Sequence, residues 1–347
     1  EITTKRFAGV SFERFDLASQ KSIVIVKPSS LGDIVHTLTL LALLRQHCGP
    51  ETRIEWVVNS VWAPLLRGHE LLDGLIEFPR EKFKGAAGMM RMFRWLGKQR
   101  GRQPDLVIDV QGLLRSGLIS RALKAAKVVG YSDSREGARH FHDHIVDVSW
   151  KRSPHAVERY LTFFSNLGVN LPEPGELEFP LPPGDEPGCA YDLPEKFVLL
   201  HPFSRGEGKS LTNEQVEKLC DELTTPVVIV GRVEGPKLRL SRKEHVNLLN
   251  QTSIAELIWL LKRASFVVSV DSGPMHLAAA ATSNVLSIHT WSDPLKVGPF
   301  REKAWVWKDG EICQVAEYAP KGGETRRFLD EGINDLAEFI RARLQAI

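Results

Sequence analysis

Cysteine is scarce in this chain: four residues in 347, at positions 48, 189, 220 and 313, with no C-x-x-C pair among them. That spacing argues against a structural zinc site and against a disulfide framework, so Cys48, Cys189, Cys220 and Cys313 read as reduced, mostly buried thiols. No apolar run reaches the about 20 residues that a membrane-spanning helix needs, which excludes an integral membrane protein of that kind. Residues 1–20 carry charges throughout and lack a signal-peptide core, so a cytoplasmic location is expected. An excess of charge is missing too, since 45 Lys+Arg stand against 43 Asp+Glu for a formal net charge of +2, which alone names no partner. The Gly-x-Gly-x-x-Gly fingerprint is absent after the first apolar run, where Lys27-Pro28-Ser29-Ser30-Leu31-Gly32 stands, and hydride transfer is thereby disfavoured. Gly208-Lys209-Ser210 resembles the end of a phosphate loop, but a Walker A motif needs glycine at position 203 and this chain has Phe203. His140, His142, Asp143 and His144 crowd together, yet their spacing fits a strand or loop and no partner cluster appears elsewhere, so no metal site is expected there.

What is present is an ordinary globular composition, 43% hydrophobic and 25% charged, over a length that suggests two domains. Apolar, β-branched runs at 23–26, 54–58, 75–78, 106–109 and 128–131 alternate with helical patterns near 34–46, 87–99, 113–125 and 155–167. Alternation of this kind implies parallel βαβ units and an α/β fold with a doubly wound sheet. Prolines and glycines crowd 171–188, which supports neither helix interior nor central strand and reads as an interdomain linker. The rhythm restarts with strands at 197–200, 227–230, 246–249, 266–270 and 285–289, with helices near 212–223, 254–263 and 274–281 between them. The segment 332–347 is amphipathic and helical. The expected domains are therefore 1–175, a linker at 176–188, 189–330 and a terminal helix at 331–347.

Several turns carry candidate chemistry. Asp33 falls at or near the start of the helix after the first strand, where it serves either as a helix cap or as a carboxylate at the carboxyl end of an open sheet, the edge at which such sheets bind ligands. Val270-Asp271-Ser272-Gly273-Pro274-Met275-His276 follows a strand and opens a helix. Gly273 permits close backbone approach, Pro274 suits the first turn, and helix-terminal amides suit a diphosphate; an Asp or Ser cap is the plainer alternative. Ser204, Arg205 and Lys209 occupy a loop after the strand at 197–200, and Gly231-Arg232-Val233-Glu234 ends another strand.

These segments together resemble glycosyltransferase family 9, the bacterial heptosyltransferases. The likeness rests on 22–37, Asp109-Val-Gln-Gly-Leu-Leu-Arg-Ser116, His155-Ala-Val-Glu-Arg-Tyr160, His201-Pro-Phe-Ser-Arg205 with Lys209, and Val270-Asp-Ser-Gly-Pro-Met-His-Leu277, in the family's order. It implies the GT-B fold, two Rossmann-like domains facing across a cleft, with a terminal helix that commonly crosses back onto the first domain. It implies an inverting enzyme that moves a heptose from ADP-heptose to the inner core of lipopolysaccharide, with Asp33 as catalytic base. Ser204, Lys209, Glu234, Asp271, Ser272, Gly273 and His276 would bind the donor, and Ser30, Gly32 and Arg115 the acceptor. No Asp-x-Asp motif occurs, so the metal-diphosphate clamp of the other main glycosyltransferase architecture is absent, and neither metal nor other cofactor is expected. Family members usually follow the lysine with an aromatic residue and proline, whereas this chain has Ser210-Leu211, a departure that bears on the donor's identity. A related transferase using another nucleotide sugar, or an idle sugar-nucleotide-binding protein, stays open as an alternative.

Residues 80–102 hold eight Lys or Arg against the single Glu81, interleaved with Met89, Met90, Met92, Phe93, Trp95 and Leu96. Two readings fit: a solvated basic helix packed on the core by its apolar face, or a surface for an anionic glycolipid acceptor at the inner leaflet, with Arg91, Arg94 and Lys98 among its contacts and the protein peripheral at that membrane face. No recognised nucleic-acid module accompanies the basic stretch, so nucleic acid is not an expected partner.

Overall fold

The structure is a computed structural model that describes residues 16–148, 155–172, 176–188, 191–235, 238–320 and 327–346. The first 15 residues, part of the proline-rich stretch at 173–175, Cys189 and the final Ile347 lie outside the described residues. The chain divides into two compact units, Glu1–Pro182 and Pro183–Ile347, with the division inside the 176–188 stretch.

The first unit runs β1 (Ser22–Val26), α1 (Leu31–His47), β2 (Arg53–Asn59), β3 (Gly74–Phe78), α2 (Gly85–Gln99), β4 (Leu106–Asp109), α3 (Leu114–Ala122), β5 (Lys127–Tyr131), β6 (His144–Val146) and α4 (Ala156–Asn166). Its six strands pair in the order β3-β2-β1-β4-β5-β6, all in parallel. Ile23, Val24, Ile25 and Val26 are all buried, as expected of a central parallel strand covered on both faces. Val24 and Val26 join Val57, Ile76, Phe78, Val107, Ile119, Leu123 and Val128 in one core, against which Trp95 and Leu96 of α2 pack.

The second unit runs β7 (Val198–His201), α5 (Asn213–Glu222), β8 (Val227–Ile229), β9 (Val246–Asn247), α6 (Ile254–Arg263), β10 (Phe266–Val270), α7 (Gly273–Ala281), β11 (Val285–His289), α8 (Pro294–Val297), β12 (Trp305–Lys308), β13 (Glu311–Gln314) and α9 (Gly332–Ala346). Its sheet order is β13-β12-β11-β10-β7-β8-β9, parallel except for the β12/β13 pair. Counted from its own first strand, this unit repeats the order of the first, with one antiparallel strand added at an edge. That hairpin was not expected from the sequence. The terminal helix expected to cross toward the first domain seats Ile333, Leu336, Ala337 and Ile340 in the second unit's core, and Phe339 packs edge-on against Phe266 and Trp305.

Cys220 is buried, and Cys48 and Cys313 are half-buried. Burial pushes the Cys48 thiol up to about 11 and the Cys220 thiol up to about 12, so both stay protonated at neutral pH. Among the described residues, no helix is long and apolar enough to cross a membrane.

Candidate active site

Both sheets reverse strand order between their first and fourth strands, at β1/β4 and at β7/β10, and open α/β sheets bind ligands outside the carboxyl ends of the strands at such points. The first reversal carries Asp33. Ser30, the N-cap of α1, donates its backbone N–H and its hydroxyl to Asp33 Oδ2 at 2.9 and 2.7 Å. The capping role anticipated for this aspartate is therefore real, yet it occupies one oxygen. Oδ1 faces the ammonium of Lys27 at 3.5 Å, and the Asp33 side chain is 37% exposed, so a substrate can reach it.

Lys27 sits just past β1 and is buried, and its Nζ donates to the Val110 carbonyl at 3.2 Å. Burial alone would lower its pKa; the pull of Tyr160, Asp33 and Asp109 outweighs this and holds the ammonium above its ordinary range. Burial raises the Tyr160 phenol, leaving it protonated, and it shares a 3.0 Å hydrogen bond with the Thr37 hydroxyl. The neighbouring strand braces the same turn. Asp109 Oδ1 accepts the N–H groups of Gln111 and Gly112, and its Oδ2 accepts from Ser116 and meets His142 Nε2 at 3.1 Å. Gly112 has φ +64°, and a Cβ there would lie 2.9 Å from Ser134 Oγ, so this turn requires glycine. Gln111 in turn accepts from the Ser29 N–H at 3.2 Å, tying the β4 loop to the Asp33 turn.

The second reversal gathers Ser204, Lys209, Asp271 and Ser272. Lys209 Nζ lies 2.6 Å from Asp271 Oδ2 and 4.5 Å from the centre of the Trp291 ring. Ser204 Oγ donates to the Asp271 carbonyl at 3.2 Å, joining the loop after β7 to the end of β10. Burial would raise the Asp271 carboxyl, but His289, Lys209 and the Ser292 hydroxyl hold it below the ordinary carboxylate range. Ser272 holds the N-cap position of α7 without a side-chain capping bond; its hydroxyl donates to the Val270 carbonyl at 3.1 Å and lies 3.3 Å from His201 Nδ1. The amides available to an anion are fewer than expected for Gly273 through His276: Pro274 has no N–H, and the Met275 N–H bonds the Ser272 carbonyl. Gly273 supplies the helix-opening amide.

The family model of glycosyltransferase family 9 (heptosyltransferase) matches residues 90–317. The chain belongs to this family. Among its relatives, the lipopolysaccharide core heptosyltransferase OpsX of Haemophilus influenzae is 24% identical over 294 residues, covering 81% of this chain and 82% of its own. Lipopolysaccharide heptosyltransferase 1 of Pseudomonas aeruginosa is 28% identical over 306 residues, 80% of this chain and 81% of its own. Of the solved structures, Escherichia coli heptosyltransferase WaaC with ADP matches with a TM-score of 0.71 at 23% identity, covering 93% of this chain and 99% of that one. ADP-heptose lps heptosyltransferase II of E. coli reaches a TM-score of 0.73 at 17% identity, covering 94% and 99%. The fold is GT-B, and the protein is a glycosyltransferase.

Within this family-9 framework the remaining candidates are placed as follows. Ser30, Gly32 and Asp33 share one turn, and Arg115 is exposed in the first turn of α3, which leaves the same sheet edge. Glu234 is exposed in the loop after β8, and His276 is half-buried one turn into α7. Arg91, Arg94 and Lys98 lie exposed on α2, which packs on α3. Ser210 and Leu211, the departure from the family pattern, have structural work: the Ser210 hydroxyl accepts from the Ser204 N–H and donates to the Ser204 carbonyl, closing the loop, and Leu211 is buried in the core. In the histidine-rich segment His142 is taken up by Asp109, and Asp143 accepts from the Val128 N–H and pairs with Arg121. Among the described residues, no group of three or more His, Cys, Asp or Glu is arranged to hold a metal ion.

Three contributors went unassigned in the sequence: Lys27, His201 and Trp291. Lys27 and His201 stand inside the matched motifs. Trp291 had the signal of a large aromatic in a polar turn, and its indole N–H donates to the Glu207 carbonyl, which links it to the Lys209 loop.

Two buried histidines set an acid limit. Burial lowers His201 to about 4, and burial, opposed by Asp271 and reinforced by nearby cations, lowers His289 to about 4. In the unfolded chain both titrate near 6.5, so between those values the unfolded state binds more protons and acidification favours it. Their contribution is complete above pH 6.5 and is lost as pH falls toward 4. Thermal melts from pH 7.5 downward should show Tm falling below about 6.5, with a shallower slope in His201→Gln. Equal slopes in the two proteins would show that His201 does not report on this region.

Proposed function

We propose that this family-9 enzyme transfers a heptose from ADP-heptose to the inner core of lipopolysaccharide, with inversion at the anomeric carbon and without a metal ion. The observation that supports this best is the division of chemistry between two equivalent sheet reversals: an oriented, solvent-accessible carboxylate in one unit, and in the other Lys209, paired with Asp271, in a loop joined to the turn that opens α7. Asp33 takes the proton from the acceptor hydroxyl. That oxygen bonds to the anomeric carbon as the bond from this carbon to the diphosphate oxygen breaks, and ADP leaves with the electron pair. Lys209 and the opening amide of α7 meet the charge that builds on the departing diphosphate, a preorganised role typically worth several kcal/mol. No metal is required in this scheme because Lys209 supplies the positive charge.

Lys27 keeps a fixed positive charge 3.5 Å from Asp33 Oδ1, while Ser30 holds Oδ2, so the base is oriented before substrate arrives. Ser204, Asp271, Ser272, His276 and Glu234 complete the donor side in this reading, and Ser30, Gly32 and Arg115 meet the acceptor sugars. The acceptor is an anionic glycolipid, which puts the reaction on the cytoplasmic side of the inner leaflet. The reading is tested by following ADP release with ADP-heptose and a Kdo-lipid A acceptor, with and without a chelator. Release that needs both substrates and survives chelation is expected; release abolished by chelation, or seen only with another nucleotide sugar, would contradict it.

A further inference from the structure

Helix α2 carries one broad apolar arc, and only one end of it is used by its own unit. Trp95 packs against Phe78 and Phe83 and donates its indole N–H to the Glu77 carbonyl, with Leu96 on the same core. Gly88 lies so close to the Phe83 backbone that a Cβ would meet it at 2.4 Å, which seats this side of the helix firmly. Met89, Phe93 and Met90 continue the apolar arc beyond Leu96, away from Trp95, and are 54, 57 and 58% exposed, three of the nine large apolar side chains left exposed among the described residues. At 3.6 residues per turn, Met89, Phe93, Ala86, Gly97 and Met90 share an arc of about 100°. Arg94, Lys98 and Arg91 fill the adjoining arc, and the exposed Arg80, Lys82 and Lys84 precede the helix.

We propose that this outer face of α2 docks the enzyme on an anionic lipid bilayer, with Met89, Met90 and Phe93 inserted at the headgroup boundary and Arg91, Arg94 and Lys98 against the lipid phosphates. The charge pattern selects this occupant: an uncovered apolar stripe beside a one-signed cationic stripe is the pattern of a helix lying in a membrane interface. Unlike sugar contacts near Asp33, the face needs no acceptor to act. It rests on the proposed function only in that a lipid-linked acceptor gives docking a purpose.

Co-flotation with vesicles of phosphatidylglycerol and phosphatidylethanolamine, without acceptor or donor, tests the face alone. The wild-type protein should float with these vesicles and not with pure phosphatidylcholine. Arg91→Glu/Arg94→Glu/Lys98→Glu should lose at least about fivefold in partitioning per charge at low salt. Met89→Ser/Met90→Ser/Phe93→Ser should lose tenfold or more while keeping its Tm and its turnover on a delipidated, water-soluble acceptor, which reads the transferase reaction separately. Flotation unchanged in both variants, or wild-type protein that ignores anionic vesicles, would overturn the proposal. A dimer abolished by the Met89/Met90/Phe93 variant would overturn it as well, by giving the face to a second copy of the chain.

Discussion

Asp33→Asn should lower turnover by about 10²-fold or more, the usual scale for losing a positioned general base, while ADP binds as before. The amide retains the size of the carboxylate and an oxygen to accept from the Ser30 N–H, so the start of α1 should persist, while Tm should fall modestly because the buried Lys27 ammonium loses a charge that faces it. What it loses is the capacity to take a proton and the charge that faces Lys27 at 3.5 Å. Donor binding is assigned to the other unit, so calorimetry with ADP should not distinguish the variant from wild type. Near-normal turnover with intact folding would leave Asp33 as a helix cap and nothing more.

Lys209→Met should weaken ADP about 10- to 100-fold, the range for a lost hydrogen bond to a charged group, and depress turnover at least as much because leaving-group stabilisation goes with it. It should also cost stability, since Asp271 is nearly buried and would lose its 2.6 Å ion-pair partner. The two effects separate in Lys209→Met/Asp271→Asn: removing the orphaned charge should restore Tm without restoring ADP affinity. Glu207→Ala, in the same loop but with an almost fully exposed side chain, should alter neither. Unchanged ADP affinity in Lys209→Met would remove this lysine from the donor site.

The parallel strands were legible because their chemistry is local: runs such as Ile23–Val26 and Phe266–Val270 are apolar and β-branched throughout, as strands covered on both faces must be. The β12/β13 hairpin was missed although its turn was written in the chain. Asp309 and Gly310 have φ of 53° and 85°, the backbone of a tight hairpin turn that Asp-Gly favours, but the strand after it, Glu311–Gln314, is short and has polar ends, a weak strand pattern. The candidate site was legible where one residue type at one turn carries the chemistry, as for Asp33, Lys209 and Asp271. It was not legible where two elements supply it together. Lys27 reads as an ordinary residue at the end of a strand until the turn folds its ammonium onto Asp33. Trp291 becomes a neighbour of Lys209 only when the ends of β7 and β11 lie on one sheet edge. The apolar residues of α2 allowed a core-packed and a surface reading, and only the fold divides them: Trp95 and Leu96 join the core while Met89, Met90 and Phe93 stay exposed.

The central claim, that heptose moves from ADP to a lipopolysaccharide acceptor by one displacement with Asp33 as base, is tested most directly by the structure of the product. Wild-type enzyme incubated with ADP-heptose and a Kdo-lipid A acceptor should yield, by mass spectrometry and NMR, an acceptor carrying one added heptose whose anomeric configuration is opposite to that of the donor, and the Asp33→Asn enzyme should yield almost none. A product with the donor's configuration retained, or an acceptor left unmodified while ADP-heptose is only bound or hydrolysed, would contradict it.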